Sequence, residues 1–128
     1  MNYYYSKTVD YSFEDTIEKL KAELKPEGFG IVTEMDVQEK FHEKLDVYFR
    51  PYRILGACNP KFAYEALQED DKLGTMLPCN FIVQRLDNEK TEIAAINPVA
   101  SMQAIDNAKL NTFAIEVGDI LKRVLDKV

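Results

Sequence analysis

The sequence has 128 residues, with 16 Lys and Arg against 22 Asp and Glu, a formal net charge of −6, one His and two Cys. This length fits one domain with its own core, and a hydrophobic fraction of 46% excludes a disordered chain. An acidic chain is a poor partner for nucleic acid or anionic lipid. No apolar run reaches the ~20 residues that span a bilayer. The first residues also lack a signal peptide's apolar core, so we expect a cytoplasmic protein with reduced thiols.

A strand followed by a helix is predicted first. Residues 3–9 form a β-branched and aromatic run that is typical of a strand. Ser12, with Asp15 three residues later, has the spacing of a helix N-cap. The apolar spacing of this helix predicts one buried stripe, formed by Phe13, Ile17, Leu20 and Leu24. Pro26 and Gly28 end the helix.

A second strand and a short helix come next. Residues 30–35 predict a strand with strict alternation, which places on one face Ile31, Thr33 and Met35. Asp36 and Glu39 repeat the capping spacing. The apolar side of the short helix that they begin consists of Val37, Phe41 and Leu45.

A third strand, over residues 52–58, leads directly into a third helix. Asn59 is a favoured N-cap residue, and Pro60 fits the first helical position because its missing N–H is not needed there. The apolar residues of this helix are Phe62, Ala63, Ala66 and Leu67. We expect the helix to fray in the acidic residues 69–71.

A hairpin and a long helix complete the chain. Residues 79–86 and 91–96 predict two strands, joined by the short polar loop 87–90. The last helix has one wide apolar stripe: Leu110, Phe113, Ala114, Val117, Ile120, Leu121, Val124 and Leu125. Gly118 is a tolerated defect in it. The predicted order is βαβαβαββα, an α+β domain over residues 1–128 with a mixed, largely antiparallel sheet and helices packed on it.

Two similar segments are the candidates for function. Residues 56–60 read Gly-Ala-Cys-Asn-Pro and residues 77–80 read Leu-Pro-Cys-Asn. Cys58 precedes a helix N-terminus, where the helix dipole and unpaired N–H groups favour a thiolate. Such a thiolate could act as a nucleophile, a redox sensor or a metal ligand, and Cys79 could pair with it. The alternative is that both cysteines are small buried hydrophobes and that Asn59 only caps the helix.

Other candidate groups are weaker. The cysteines are 21 residues apart without a Cys-x-x-Cys motif, and His42 is the only histidine, so a zinc site lacks a usual ligand set. Glu34 and Asp36 alternate onto one side of the chain and could divide acid and base roles, although Asp36 already caps a helix. Lys44 could supply a counter-charge to an anionic ligand.

Three consecutive tyrosines, Tyr3 to Tyr5, cannot all face one core, because side chains alternate along a strand. At least one ring is therefore exposed, which suits a partner surface. Pairing of an edge strand between two subunits would cover such a strand, so we expect a homodimer.

The sequence resembles the DUF302 family. The resemblance rests on residues 30–36 (Gly-Ile-Val-Thr-Glu-Met-Asp), 44–45, 52–60 (Tyr-Arg-Ile-Leu-Gly-Ala-Cys-Asn-Pro), 63–67 and 77–83 (Leu-Pro-Cys-Asn-Phe-Ile-Val). It implies a compact α+β domain that self-associates in the cytoplasm. It implies no assigned activity, so no catalytic residue can be transferred. The family's signature falls on the two Cys-Asn segments, which favours a ligand pocket around them.

The first hypothesis is therefore a homodimeric module that binds a small molecule, an anion or a metal. Its candidate ligand-binding residues are Cys58, Asn59, Cys79, Asn80 and Lys44. The second is a thiol enzyme or redox protein with Cys58 as nucleophile and Cys79 as resolving thiol. The third is a structural or protein-interaction domain with buried core cysteines. The sequence assigns no cofactor, no catalytic residue and no metal ligand, and it predicts neither a nucleic-acid nor a membrane partner.

Overall fold

Five antiparallel strands form one sheet, in a computed structural model that describes all 128 residues. The strands are β1 (Tyr4–Val9), β2 (Gly30–Asp36), β3 (Tyr52–Cys58), β4 (Cys79–Arg85) and β5 (Thr91–Ile96). Their order across the sheet is β1-β5-β4-β3-β2, and all four pairings are antiparallel. The two long helices pack on one face of this sheet. The predicted α+β class is confirmed.

Five helices connect and cover the strands. They are α1 (Phe13–Leu24), α2 (Val37–Leu45), α3 (Pro60–Glu69), α4 (Pro98–Ser101) and α5 (Ala108–Lys127). Two 3₁₀ segments follow α1 and α3, at Lys25–Glu27 and Asp71–Met76. No helix is both long enough and apolar enough to cross a membrane.

The predicted N-caps of the first three helices are all present. The backbone N–H of Asp15 donates to Ser12 Oγ over 3.1 Å. The backbone N–H of Glu39 donates to Asp36 Oδ1 over 3.0 Å. Asn59 caps α3 in the same way, so local sequence determined where these helices begin.

Two local predictions differ from the structure. A register shift between Ile31 and Thr33 breaks the strict alternation expected of β2. Ile31 therefore packs against the core, whereas Thr33 lies beside Gly56 on the other face. Residues 71–76 are helical although the sequence predicts no helix there, because so short a segment shows no full period of apolar residues.

The core lies between the sheet and the helices α1 and α5. It contains the fully buried Leu20 and Leu24 of α1, Phe81 of β4 and Leu121 of α5. A smaller apolar cluster joins α3, α4 and α5 beside it. Gly118 of α5 is buried against Pro98, and a Cβ at this glycine would lie 3.5 Å from the proline ring. It is therefore a packing position rather than a defect.

The other face of the sheet, which we call the open face, has no helix packed across it. Its middle row crosses all five strands in register: Ser6, Ala94, Ile82, Ile54 and Met35. The row on one side is Tyr4, Ile96, Asn80, Gly56 and Thr33. The row on the other side is Thr8, Glu92, Gln84 and Tyr52.

Candidate functional site

The fold brings the two cysteines together. Cys79 begins β4 and lies opposite Ala57 of β3, so Cys58 is the next residue along the neighbouring strand. Both thiols are free and both line the same cavity. The sequence placed them 21 positions apart, and only strand pairing makes them neighbours.

The cavity is small and almost entirely apolar. Its volume is about 50 Å³, and 14 of its 16 lining residues are hydrophobic. The exceptions are Asn59 and Pro98. The walls come from the end of β3, from α3 and from α5, including Phe62 and Phe113, whose rings lie 6.0 Å apart. No charged side chain lines it.

Both thiols are held in their neutral form. Burial raises the pKa of the Cys58 thiol above its ordinary value. Burial also raises the pKa of Cys79, with a smaller contribution from the neighbouring Cys58, to about 11. The expectation that the helix dipole favours a thiolate at Cys58 is wrong in sign, because burial raises the pKa of this thiol instead of lowering it.

Asn59 has a structural role that uses its side-chain oxygen. Asn59 Oδ1 accepts hydrogen bonds from the backbone N–H groups of Lys61 and Phe62, over 3.0 and 3.2 Å. Its amide nitrogen lies 2.9 Å from the position that a Cβ on Gly28 would occupy. Gly28 has a φ of +80°, so a side chain there would meet both backbone strain and this contact.

Replacing Asn59 by Ala should cost about 1 kcal/mol in the free energy of unfolding, because α3 then loses its N-cap. Urea denaturation followed by circular dichroism measures this change. Asn111→Ala is the matched control, since Asn111 is an exposed residue within α5. An equal loss in both variants would contradict a capping role for Asn59.

Two of the predicted ligand-binding residues lie away from the cavity. Asn80 is directly opposite Gly56, so its side chain is on the open face rather than beside the thiols. Lys44 is an exposed residue near the end of α2. Strands β2 and β3 pair along their length. Helix α2 follows the end of β2 that pairs with Arg53, and Cys58 lies at the opposite end of β3.

The paired carboxylates belong to an ion-pair network. Arg53 Nη1 lies 3.1 Å from Glu34 Oε1, and Arg53 Nη2 lies 3.7 Å from Asp36 Oδ2. Lys21 of α1 adds a contact of 3.7 Å to Glu34. His42 is exposed, and no group of three His, Cys, Asp or Glu residues is placed to hold a metal ion. These contacts give Glu34 and Asp36 a structural role.

Sequence reasoning missed the far wall of the cavity. Leu73, Met102 and Phe113 come from segments distant in sequence from either cysteine. Only Phe113 had a signal, since it lies in the wide apolar stripe of α5. The apolar stripe of α5 is wider than the sheet can cover. This width was the one indication in the sequence that α5 makes a second apolar contact.

Comparison with known proteins assigns the family. The family described as "Domain of unknown function DUF302" matches residues 5–128. The chain belongs to the DUF302 family. It is also similar to a solved structure, the "Crystal structure of uncharacterized conserved protein DUF302 from Bacillus stearothermophilus", with a TM-score of 0.92 and 31% identity. That match covers 99% of this chain and 98% of the other. No curated protein matches.

The two Cys-Asn segments of this DUF302 domain contact each other. A Cβ on Gly56, from the first segment, would overlap the ring of Pro78, from the second, and the hydroxyl of Thr33. The glycine therefore permits a close approach of strand β3 and the residue before β4. This contact gives Gly56 and Pro78 a packing role that needs no ligand.

Proposed function

We propose that this DUF302 domain is a cytoplasmic, homodimeric protein that binds a small, uncharged and largely apolar ligand in the cavity beside Cys58 and Cys79. The observation that supports this is the cavity itself, with 14 hydrophobic residues among 16 and two neutral thiols in its wall. Concave apolar sites with a few polar groups are the usual form of a small-molecule site.

The lining favours an uncharged ligand. A buried ion without a partner loses several kcal/mol of solvation, and no Lys or Arg lines the cavity to compensate an anion. A metal ion would find only two thiols, both of which would have to lose a proton against a raised pKa. The thiols instead provide polarizable surface and weak hydrogen-bond donors.

The size of the cavity limits the ligand. A volume of about 50 Å³ is well below the roughly 300 Å³ of a site for a drug-sized molecule. The same volume exceeds the roughly 10–15 Å³ that one water molecule requires. A ligand of a few heavy atoms fits this space without rearrangement.

Thiol chemistry at Cys58 is the second candidate function. The observation that favours it is the adjacency of Cys58 and Cys79 on neighbouring strands, which suits a nucleophile and a resolving thiol. The raised pKa of both thiols opposes it, because the thiolate is the reactive form. Apolar ligand binding is therefore the better supported function.

Xenon is a suitable probe, because it enters dry apolar cavities and shifts the NMR signals of the side chains around it. We expect xenon to shift the methyl signals of Met102 and Leu110, which line the cavity. Ala66→Leu should abolish these shifts by filling the space from α3. Ala108→Leu is the matched control, since Ala108 is an exposed helical residue outside the cavity.

Two outcomes would contradict this proposal. Shifts that persist in Ala66→Leu would place the xenon site elsewhere. The absence of any shift in the wild-type protein would show that the cavity does not admit an apolar atom. Either result would leave thiol chemistry or protein interaction as the function to pursue.

A further inference from the structure

We infer that the open face of the sheet is the surface on which a second copy of this chain packs, with a two-fold axis running along the central strand β4. This inference rests on the homodimer in the proposed function and assigns its interface. It concerns the face of the sheet opposite the helices, so it is independent of the apolar cavity.

The distribution of charge favours a second copy as the partner. Charged residues make up 30% of the sequence and the net charge is −6, so two copies repel each other over most of their surface. Among the strand residues of the open face, Glu92 alone is charged. Its carboxylate accepts a hydrogen bond of 2.7 Å from Gln84, whose own oxygen accepts from Arg50 over 2.8 Å. This face is therefore where two acidic copies can meet with the least repulsion.

The two-fold axis pairs small residues of one copy with larger residues of the other. A two-fold axis along β4 places β5 of one copy over β3 of the other, because these strands flank β4 on opposite sides. Ala94 then lies over Ile54 of the second copy, and Ile96 lies over Gly56. A small residue faces a larger one in both pairs, which is the arrangement that close packing of two sheets requires.

The same axis makes the face complementary in charge. Glu92 of β5 lies in the row that contains Tyr52 of β3, and Arg50 is stacked over the Tyr52 ring at 5.8 Å. Superposing β5 on β3 therefore brings Glu92 of one copy towards Arg50 of the other. Opposite charges at such positions fix the register of an interface more than they strengthen it.

The area is of the right order for a stable dimer. Five strands about 4.8 Å apart and rows about 6.8 Å apart give a face of roughly 24 by 20 Å before side-chain relief is counted. The aromatic rings of Tyr3 and Tyr4 at one margin, and Phe41 and Phe49 at the other, enlarge it. The flat area of about 480 Å² is of the same order as the ~800 Å² per partner of a standard interface, although smaller.

The decisive variant is Ile82→Glu. Ile82 is in the middle row of the central strand, so it faces Ile82 of the second copy across the axis. Two carboxylates would then be buried against each other. We therefore expect the dissociation constant of the dimer to rise by a factor of about 100 or more. Light scattering after gel filtration measures the mass, which should fall from about twice 14.7 kDa to one chain. Ile115→Glu is the control, on the helical side of the molecule and 55% exposed.

A second variant keeps the test independent of folding defects in the first. Ile82→Cys should be cross-linked between two copies by 1,2-bis(maleimido)ethane, which can span facing residues of two sheets packed about 10 Å apart, and Ile115→Cys should not. Each thiol adds across the C=C bond of one maleimide, so that one S–C bond forms and the thiol proton passes to the neighbouring carbon. The native Cys58 and Cys79 are present in both variants, so any reaction of theirs affects both equally.

The outcomes separate this inference from the proposed function. A wild-type dimer that Ile82→Glu leaves intact, with no cross-link at position 82, would overturn the open-face interface and retain the homodimer. A wild-type protein that is monomeric at about 100 µM would overturn both. In either case xenon binding still reports on the cavity, because no residue of the middle row lines it.

Discussion

Replacing Gly56 by Ala is expected to lower the free energy of unfolding by about 3 kcal/mol, a large loss for one methyl group. The new Cβ would overlap the Pro78 ring and the Thr33 hydroxyl. The hydroxyl can rotate away, but the proline ring is fixed to the backbone. Strands β3 and β4 would then have to separate beside Cys58 and Cys79.

The matched control for this variant is Gly30→Ala. Gly30 is also a strand residue, and a Cβ there would meet nothing within 4 Å. We expect this change to be neutral or to stabilise by up to about 1 kcal/mol, because it reduces the entropy of the unfolded chain. Urea denaturation of both variants measures the two effects. Equal effects at the two positions would contradict the close approach at Gly56.

In the native protein, Cys79 should react with an alkylating reagent near pH 7 at least 100-fold more slowly than an unperturbed thiol. Its pKa of about 11 leaves very little thiolate at that pH, and the side chain is buried. The rate should keep rising about tenfold per pH unit beyond pH 9, without a plateau. Denaturation should restore the ordinary rate.

The single variants Cys58→Ala and Cys79→Ala isolate the two thiols in this measurement. Cys58 is partly exposed, so it should react faster than Cys79, although its pKa is also raised. A labelling rate for Cys58 that reaches a plateau below about pH 8 would show an accessible thiolate. That result would favour the thiol enzyme over the apolar ligand site.

The pKa of Cys79 also predicts how stability depends on pH. The unfolded chain loses the Cys79 proton near the ordinary pKa of a thiol, whereas the folded protein keeps it up to about pH 11. The contribution of Cys79 to stability is therefore complete at neutral pH and decreases as the pH rises between those values. The Cys79→Ala variant should lack this decrease.

Residue order was sufficient to predict the elements whose signals are local. Ser12, Asp36 and Asn59 each cap a helix as their spacing indicated, because a cap involves only the next three residues. The strands 52–58 and 91–96 have the predicted bounds, since a run of apolar and β-branched residues suffices to specify a strand. The two Cys-Asn segments and the resemblance to DUF302 were also readable from residue order alone.

The proximity of the two cysteines and their burial depend on contacts between distant segments of the chain. The pairing of Ala57 with Cys79 makes the two thiols neighbours, and the packing of α3 and α5 around them removes the solvent that a thiolate needs. Lys44 and Asn80 were candidate ligand-binding residues in the sequence. The folded chain leaves both of them outside the cavity. A pKa and a cavity depend on groups far apart in the chain, because desolvation sums over every atom that packs against the site.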